Sequence, residues 1–221
     1  MEKLPAWSYS SIKTFEQCPR KYYHLKVVKD VVEDKTVTLY GSELHTACEE
    51  YVRDDKPLPA QFSFVKSALD NLKNRPGKIL CEYKMGLTED LQPCDFFAPN
   101  VWWRGVIDLL ILDGEVARIV DYKTSKSTKY ADTGQLELMA LAVFKHFPDI
   151  RKVKAGLLFV VAKEFPKASY SVDDQPRLWE KWLGEYKRME IAYKRDVWNA
   201  KPSGLCKKHC PVLSCPHNGR A

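Results

Sequence analysis

Two aspartates and a lysine lie in a segment whose pattern predicts two strands joined by a tight turn. Asp108 interrupts one apolar run, and Asp121 and Lys123 close the next. Carboxylates on a buried sheet face are costly unless a cation compensates them, and Mg²⁺ or Mn²⁺ accepts carboxylate oxygens alongside water or phosphate oxygens. Such an ion assists phosphate-ester hydrolysis, and Lys123 could orient the attacking water or stabilise the developing oxyanion. The alternative is a surface ion pair between Asp121 and Lys123 beside an unrelated Asp108.

The turn between the two strands decides whether the carboxylates meet. Asp113-Gly114 between apolar runs predicts a two-residue hairpin loop in which Leu112 pairs with Glu115. Side chains two residues apart on a strand share a face. Counting outward from this turn, Asp121 becomes the diagonal neighbour of Asp108, with Cα atoms roughly 7–8 Å apart. Both carboxylates are therefore expected to converge on one site.

The elements that must position these residues follow from the hydrophobic periodicity. Helices are expected at about 8–27, 42–53, 61–74, 133–147 and 175–198, and strands at 79–87, 101–112, 115–122, 153–161 and 168–172. The strand around Asp108 is apolar on both faces, so helices should cover both sides of the sheet. We expect an α/β fold with a mixed central β-sheet flanked by helices. The aromatic stripe of the last helix is expected to pack in the core.

The length of the chain favours one domain. Its 221 residues suffice for one sizeable core. We expect a single domain over 1–221, with an N-terminal helical part at 1–75, a catalytic sheet core at 76–173, and a C-terminal helix and cysteine-rich tail at 174–221.

Charge and hydropathy restrict the classes of partner. The net charge of +6, from 35 Lys and Arg against 29 Asp and Glu, favours a polyanionic partner over a cationic one. The apolar runs are too short to cross a bilayer, and the N-terminus lacks a signal-peptide pattern. We therefore expect a cytoplasmic protein with no membrane partner. Because that compartment is reducing, the seven cysteines should be thiols or metal ligands rather than disulfides.

Three of the cysteines crowd into ten residues near the C-terminus. Cys206, Cys210 and Cys215 have the spacing C-x3-C-x4-C, with His209 and His217 close by. Several soft ligands in so short a segment favour a bound metal over idle thiols. Zinc held by cysteine and histidine is one interpretation, and a compact loop with no metal is the other.

The chain resembles the PD-(D/E)XK nuclease superfamily, and within it the RecB-like branch. The resemblance extends from about Ser8 to Cys215 and follows the family's order of motifs. The matching segments are Tyr9-Ser10-Ser11-Ile12 with Cys18-Pro19-Arg20-Lys21-Tyr22, Gly41-Ser42-Glu43-Leu44-His45, Gly105-Val106-Ile107-Asp108, Val120-Asp121-Tyr122-Lys123-Thr124, and Gln135 on the next helix. The family often has a tyrosine four residues after the glutamine, where this chain has Met139.

The resemblance implies a restriction-endonuclease-like core and a role for each matching residue. Asp108 and Asp121 would bind Mg²⁺ or Mn²⁺ together with the backbone carbonyl of Tyr122. His45 would be a further metal ligand, as in this branch. Lys123 would be the catalytic lysine, and Gln135 would position the site or the nucleic-acid strand. On residue type alone, His45 and Gln135 could equally be structural.

The resemblance also bears on the cysteines. Some RecB-like nucleases hold a [4Fe–4S] cluster with one N-terminal and three C-terminal cysteines, and Cys18 stands in the position of the distant fourth ligand. The usual C-x2-C-x5-C spacing differs by one residue at Cys210, while the outer spacing is the same. Cys18, Cys206, Cys210 and Cys215 would then hold the cluster, with Zn²⁺ as the alternative.

The function expected from these residues is metal-dependent hydrolysis of DNA. An exonuclease acting on DNA ends or single strands, in recombination, repair or phage replication, is the leading hypothesis. Under this hypothesis, a recombination or replication protein is a possible partner. A structure-selective endonuclease is the second enzymatic hypothesis. A catalytically silent DNA-binding or partner-binding protein on a nuclease fold is the alternative of another class.

Overall fold

The computed structural model describes residues 4–33, 39–129 and 131–220, and the rest of the predicted domain lies outside them. The chain forms two compact units. One, the helical unit, contains residues 4–33 and 179–220. The other, the sheet unit, contains residues 39–129 and 131–178. The expectation of one domain over 1–221 stays a prediction.

The helical unit is built from short N-terminal helices, most of a long helix, and the C-terminal tail. Its elements are α1 (Tyr9–Gln17), α2 (Pro19–Tyr22) continued by a π-helical turn (Tyr23–Val28), α6 (Gln175–Arg195) and a 3₁₀ turn (Gly204–Lys207). Ser8 caps α1 by accepting from the Ser11 N–H. Trp182 and Met189 of α6 are buried, and Trp7 stacks on Tyr186 with ring centroids 5.4 Å apart. The aromatic stripe of α6 therefore packs in the core, as expected.

The single helix expected at 8–27 is interrupted, so that expectation was wrong. Cys18 has an extended backbone, with φ −165° and ψ 112°, and divides α1 from α2. The cause is Pro19, because the proline ring disfavours helical dihedrals in the preceding residue. The interruption turns Cys18 into a junction residue between two helices.

The sheet unit contains all the strands and the helices that pack on them. Its elements are α3 (Leu39–Asp54), a 3₁₀ turn (Ala60–Val65), α4 (Lys66–Lys73), β1 (Lys78–Leu87), β2 (Pro93–Cys94), β3 (Trp103–Asp113), β4 (Val116–Lys123), α5 (Gly134–His146), β5 (Lys152–Phe159) and β6 (Lys167–Ser171). The strands form one sheet in the order β2-β1-β3-β4-β5-β6, with β4 and β5 parallel and the other neighbours antiparallel. This mixed sheet flanked by helices is the α/β architecture predicted above. The short β2 was not predicted, since two residues carry no periodicity.

The hairpin turn lies one residue later than predicted. Leu112 pairs with Ala117 rather than Glu115, and Gly114 and Glu115 form the loop. Gly114 has a φ of +55°, the left-handed conformation that glycine adopts without steric cost. Asp113 therefore ends β3, where its carboxylate pairs with Arg118 at 2.9 Å. The register that we expected was wrong by two positions along the partner strand.

Helices cover both faces of this sheet in part. Leu109 and Ile111 of β3 and Val120 and Tyr122 of β4 pack in one cluster with α3 and α4. On the other side, α5 is buried along most of its length, and Leu136 and Leu138 to Phe144 are nearly inaccessible. In the described part of the chain, no helix has both the length and the apolar character needed to cross a bilayer.

Candidate active site

The candidate active-site residues gather where β3 and β4 separate. The pairing of these strands ends at Leu109 and Val120. Next to that point, Oδ2 of Asp108 accepts a hydrogen bond from the Tyr122 backbone N–H at 2.7 Å, so a carboxylate replaces a backbone partner. Strand β4 nevertheless continues beside β5 as far as Lys123. The strands therefore part at the residues that the sequence predicted to carry the chemistry.

Helix α3 brings His45 to the same place. Its Nε2 donates to the Tyr122 carbonyl oxygen at 3.0 Å, and its Nδ1 lies 3.3 Å from Oδ2 of Asp108. Burial lowers the pKa of His45, but the hydrogen bond and charge of Asp108, with the charges of Asp121 and Glu82, outweigh burial and raise it. The imidazole thus lies between a backbone carbonyl and a carboxylate, both of which were predicted to bind a metal.

Glu82 of β1 completes this group, and the sequence analysis missed it. It lies opposite Asp108 between the paired residues Cys81 and Tyr83, and its φ of +48° is left-handed. Cys81 and Tyr83 would share a face in a regular strand, but the conformation of Glu82 interrupts this alternation. Cys81 packs with the α3 and α4 cluster, whereas the Tyr83 ring contacts Phe147, which follows α5. A glutamate inside a loosely alternating strand gives no signal of such a distortion, which only tertiary packing stabilises.

His45, Glu82 and Asp108 form a cluster suited to a cation. Each offers one ligand atom, and the three atoms lie within 4.8 Å of one another. No other trio of His, Cys, Asp or Glu side chains is so close in residues 4–33, 39–129 and 131–220. The Tyr122 carbonyl adjoins the cluster through its contact with His45. Of the predicted metal ligands, the structure brings together His45, Asp108 and Tyr122, and it adds Glu82.

Asp121, Lys123 and Gln135 form a second group beside the first. Lys123 Nζ donates to Oε1 of Gln135 at 3.0 Å, and Gln135 Nε2 donates to Oδ1 of Asp121 at 2.6 Å. Lys123 Nζ also lies 2.7 Å from Oδ2 of Asp121. This contact pairs the lysine ammonium with a buried carboxylate oxygen. Gln135 of α5 therefore fixes the lysine and the aspartate relative to each other.

Negative charge in this region is poorly solvated. Burial first, and then the charge of Asp108, raise the pKa of Asp121 to about 6, against the opposing effects of Lys123 and His45. Burial and the charge of Asp108 likewise raise the pKa of Glu82. Carboxylates whose pKa values are raised by burial and by one another take up protons or a cation readily. The electrostatics thus favour a cation at the point where the ligand atoms converge.

The four predicted cysteine ligands lie in the helical unit and line one pocket. His209 and His217 line the same pocket as Cys18, Cys206, Cys210 and Cys215. Two backbone N–H groups point at sulfur, from Lys201 to Cys18 and from Ser203 to Cys206, both at 3.4 Å.

Backbone hydrogen bonds hold the tail that carries three of these cysteines. Asn218 donates through Nδ2 to the carbonyl oxygens of Cys210 and Val212 at 3.1 and 2.8 Å, and through its N–H to that of Cys215 at 2.9 Å. The Gly219 N–H donates to the Cys206 carbonyl at 3.1 Å. The structure therefore brings the distant Cys18 to the three clustered cysteines, within one unit.

The order of these residues along the chain matches one family over nearly its whole length. The sequence model of the PD-(D/E)XK nuclease superfamily matches residues 6–215. The chain belongs to this superfamily. Where this superfamily often has a tyrosine, the chain has Met139. This side chain is 4% exposed and packs in the core of the sheet unit.

Solved structures similar to this PD-(D/E)XK protein are distant in sequence. One, a candidate exonuclease from Eubacterium rectale, is 13% identical with a TM-score of 0.56, covering 96% of this chain and 90% of that one. Another, the protein SSO0001, is 12% identical with a TM-score of 0.48, and the match covers 99% of this chain and 89% of that one. The first likeness shows a shared fold. No curated protein matches the sequence.

Proposed function

We propose that this protein is a metal-dependent DNA exonuclease. The observation that carries the proposal is the convergence of His45, Glu82 and Asp108 within 4.8 Å, beside Asp121 and Lys123. Membership of a nuclease superfamily supports phosphodiester hydrolysis. The net charge of +6 is compatible with a polyanionic substrate.

The residues present fit a hard divalent cation. Carboxylate and carbonyl oxygens are the ligands that Mg²⁺ and Mn²⁺ prefer, and Asp108 and Asp121 are both buried carboxylates. Asp108, Asp121, His45 and the Tyr122 carbonyl would hold the metal, with Glu82 as a further ligand or a support. A divalent cation bound there supplies Lewis-acid neutralisation of charge on the scissile phosphate.

Lys123 is the group that would act on the reacting atoms. Its ammonium lies 2.7 Å from Oδ2 of Asp121 and 3.0 Å from Oε1 of Gln135, so it is positioned before any substrate enters. Its side chain remains 35% exposed, which leaves one side of the ammonium open. A positioned ammonium can orient an attacking water and stabilise negative charge that develops on phosphate oxygens. Gln135 is a positioning residue for Lys123.

Action on DNA ends is the finer part of the proposal. It is supported by the resemblance to the RecB-like branch and by the candidate exonuclease with a similar fold. Single strands or DNA ends would be the substrate. The setting would be cytoplasmic, in recombination, repair or phage replication, with a protein partner from those processes. A structure-selective endonuclease and a catalytically silent binding protein are the competing functions.

Cleavage of end-labelled single-stranded, duplex and circular DNA with Mg²⁺, Mn²⁺ or EDTA tests the proposal. We expect metal-dependent loss of linear substrates, with circles spared, and no cutting by Asp121→Ala or Lys123→Ala. Lys56→Ala and Glu50→Ala, which break an exposed ion pair of 2.7 Å in the same unit, should cut normally. Cut circles would indicate the endonuclease. DNA binding without cutting under any condition would indicate the silent protein, and full activity of both active-site variants would refute the assigned residues.

We further propose that the cysteine pocket holds a structural metal centre, with [4Fe–4S] ahead of Zn²⁺. A tetrahedral zinc with Zn–S bonds of about 2.3 Å needs sulfurs roughly 4 Å apart. The preference for the cluster rests on the resemblance to the RecB-like branch, whose pattern of one N-terminal and three C-terminal cysteines matches the four cysteines that line this pocket. The N–H groups directed at Cys18 and Cys206 are of the kind that stabilise cluster sulfurs.

A further inference from the structure

The sheet unit has a groove lined by basic residues, on the part of the sheet formed by β4, β5 and β6. The side chains that carry its character are Arg75, Arg118, Lys152, Lys154, Lys167 and Phe165. All of these except Arg118 are exposed. No Asp or Glu is among the described residues that line it. The groove therefore combines high positive charge with access to solvent.

Strand pairing brings these cations together on the sheet. Arg118 of β4 is the direct partner of Lys154 on β5, and Lys152 lies two residues before Lys154, on the same face. Lys167 of β6 pairs with Gly156, two residues after Lys154. Neighbouring strands are about 4.8 Å apart, so these like charges repel one another in the folded protein. Together they give this face a positive potential that favours the binding of an anion.

Most of these charges lack a compensating partner within the protein. Arg118 pairs with Asp113 at 2.9 Å. Lys152, Lys154 and Lys167 form no ion pair within 4.0 Å in the part of the chain that the structure describes. The basic residues of α6 differ, because Lys187 and Lys194 both pair with Glu190, at 2.6 and 2.8 Å. An ordinary solvated face mixes both signs of charge, as α6 does, and the groove does not.

An aromatic ring lies among the cations. Phe165 rests on Gly156, since a Cβ added at Gly156 would lie 2.4 Å from Cε2 of that ring. The Lys167 ammonium lies 5.2 Å from the centre of the same ring. Glycine at this position therefore allows the Phe165 ring to approach the sheet closely. An exposed aromatic ring beside cations is the combination that contacts the bases and phosphates of nucleic-acid strands.

We propose that this groove binds the phosphate backbone of DNA outside the active site. The choice of DNA among polyanions rests on the proposed nuclease function, while the charge and its exposure are independent of that function. Arg118 and Lys123 of the proposed active site are five residues apart on β4, so their side chains point to opposite faces of the sheet, and the groove is a site separate from the active site. Lys152, Lys154 and Lys167 each neutralise about one phosphate. The groove thereby holds the substrate strand at a distance from the bond that is cut.

The salt dependence of DNA binding tests the groove. Binding of a labelled single-stranded oligonucleotide is measured by fluorescence anisotropy in EDTA, between about 50 and 200 mM salt. Each phosphate contact contributes about −0.7 to the slope of log K against log salt, so Lys152→Gln/Lys154→Gln/Lys167→Gln should make the slope about 2 less steep. Each single substitution should account for about a third of that change. Lys187→Gln/Arg188→Gln/Lys194→Gln removes the same charge from α6 and should leave the slope unchanged.

Two results would overturn the groove. One is an unchanged slope and affinity in the triple variant with an unchanged circular dichroism spectrum, and the other is an equal loss in the α6 control. If the triple variant fails to fold, the three single variants decide in the same way.

The groove and the nuclease function can fail separately. Metal-dependent cutting by the wild-type protein with an unaltered slope in the triple variant refutes the groove alone. A reduced slope in the variant of a protein that cuts nothing refutes the nuclease function alone.

Discussion

Burial of Asp121, a proposed metal ligand, opposes its ionised form. Its side chain is 3% exposed, and burial together with Asp108 raises its pKa to about 6 from an ordinary value of 3.8. For a carboxyl whose pKa is higher in the folded state, the folded form binds a proton that the unfolded form has released. Below about pH 4 both forms are protonated and Asp121 does not reduce the stability of the folded protein. The reduction increases as the pH rises from about 4 to about 6, and it is constant above about 6.

Asp121→Asn should therefore stabilise the metal-free protein while abolishing cleavage. In EDTA at pH 7 to 8, we expect the free energy of unfolding to rise by about 1 to 3 kcal/mol, and the gain to shrink as the pH falls toward 4. Urea unfolding at several pH values measures it. Added Mn²⁺ should stabilise the wild-type protein more than the variant, because binding to the folded state alone raises stability. Equal stability of both proteins at pH 8 in EDTA would show that the buried charge of Asp121 does not destabilise the folded protein.

Glu82 is expected to act through the metal rather than through the reacting atoms. Its carboxylate is part of the cluster with His45 and Asp108. For Glu82→Gln, the Mn²⁺ concentration that gives half-maximal cleavage should increase about 10- to 100-fold, with nearly normal rates at saturation. Glu115→Gln, at the exposed hairpin turn, is the matched control. A rate that stays low at saturating Mn²⁺ would place Glu82 in the chemistry itself.

At the scale of elements, the error in the hairpin register did no harm to the predicted site. Moving the loop from Asp113-Gly114 to Gly114-Glu115 changes each pairing by two positions. Because side chains alternate with a period of two, such a change preserves the face on which each one lies. Asp108 and Asp121 thus still lie on one face, although as near-opposite rather than diagonal neighbours. A change by one position would have put them on opposite faces.

Two glycines at strand ends should differ in their tolerance of alanine. Gly114 has φ +55° with nothing within 4 Å of an added Cβ, whereas Gly77 has φ +116° and an added Cβ would lie 2.3 Å from the Leu112 carbonyl oxygen. Gly114→Ala should cost about 1 kcal/mol of stability, and Gly77→Ala more than about 2 kcal/mol, because a clash adds to the dihedral strain. Chemical denaturation measures both, with Gly114→Asn expected to be nearly neutral. Equal losses at the two sites would contradict the proposed clash.

At the scale of the whole molecule, each of the two compact units contains one of the proposed sites. The sheet unit contains the carboxylate site, and the helical unit contains all four cysteines of the proposed centre. The interruption at Cys18 is a local consequence of Pro19, yet it exposes a sulfur to the same pocket as a tail nearly 190 residues away. A centre there would tie the first helices to the tail within their own unit.

Anaerobic purification should yield brown protein with a visible absorption shoulder. Cys18→Ser and Cys210→Ser should lose the colour and lower the melting temperature, since the centre connects distant segments of one unit. Cys94→Ser, in the sheet unit, should keep both. Colourless protein with stoichiometric zinc would select Zn²⁺ instead. Anaerobic protein with neither iron nor zinc would refute a metal centre.

The sequence by itself determined the family, the α/β architecture and most of the elements. Apolar periodicity depends on local spacing alone, and it predicted α3, α5, β1 and β3 to β6 to within a few residues. The ordered motifs around His45, Asp108 and Asp121 carried the family, which the match over residues 6–215 shows.

Only the tertiary structure decided the details on which the chemistry depends. The left-handed backbone at Glu82 and the separation of β3 from β4 result from packing between distant segments, and neither leaves a local pattern. The basic groove likewise exists only once β4, β5 and β6 are side by side, because its lysines are scattered singly along the chain. Local spacing of apolar residues determines the helices and strands. The positions of ligand atoms and surface charges depend instead on contacts between residues that are far apart in the sequence.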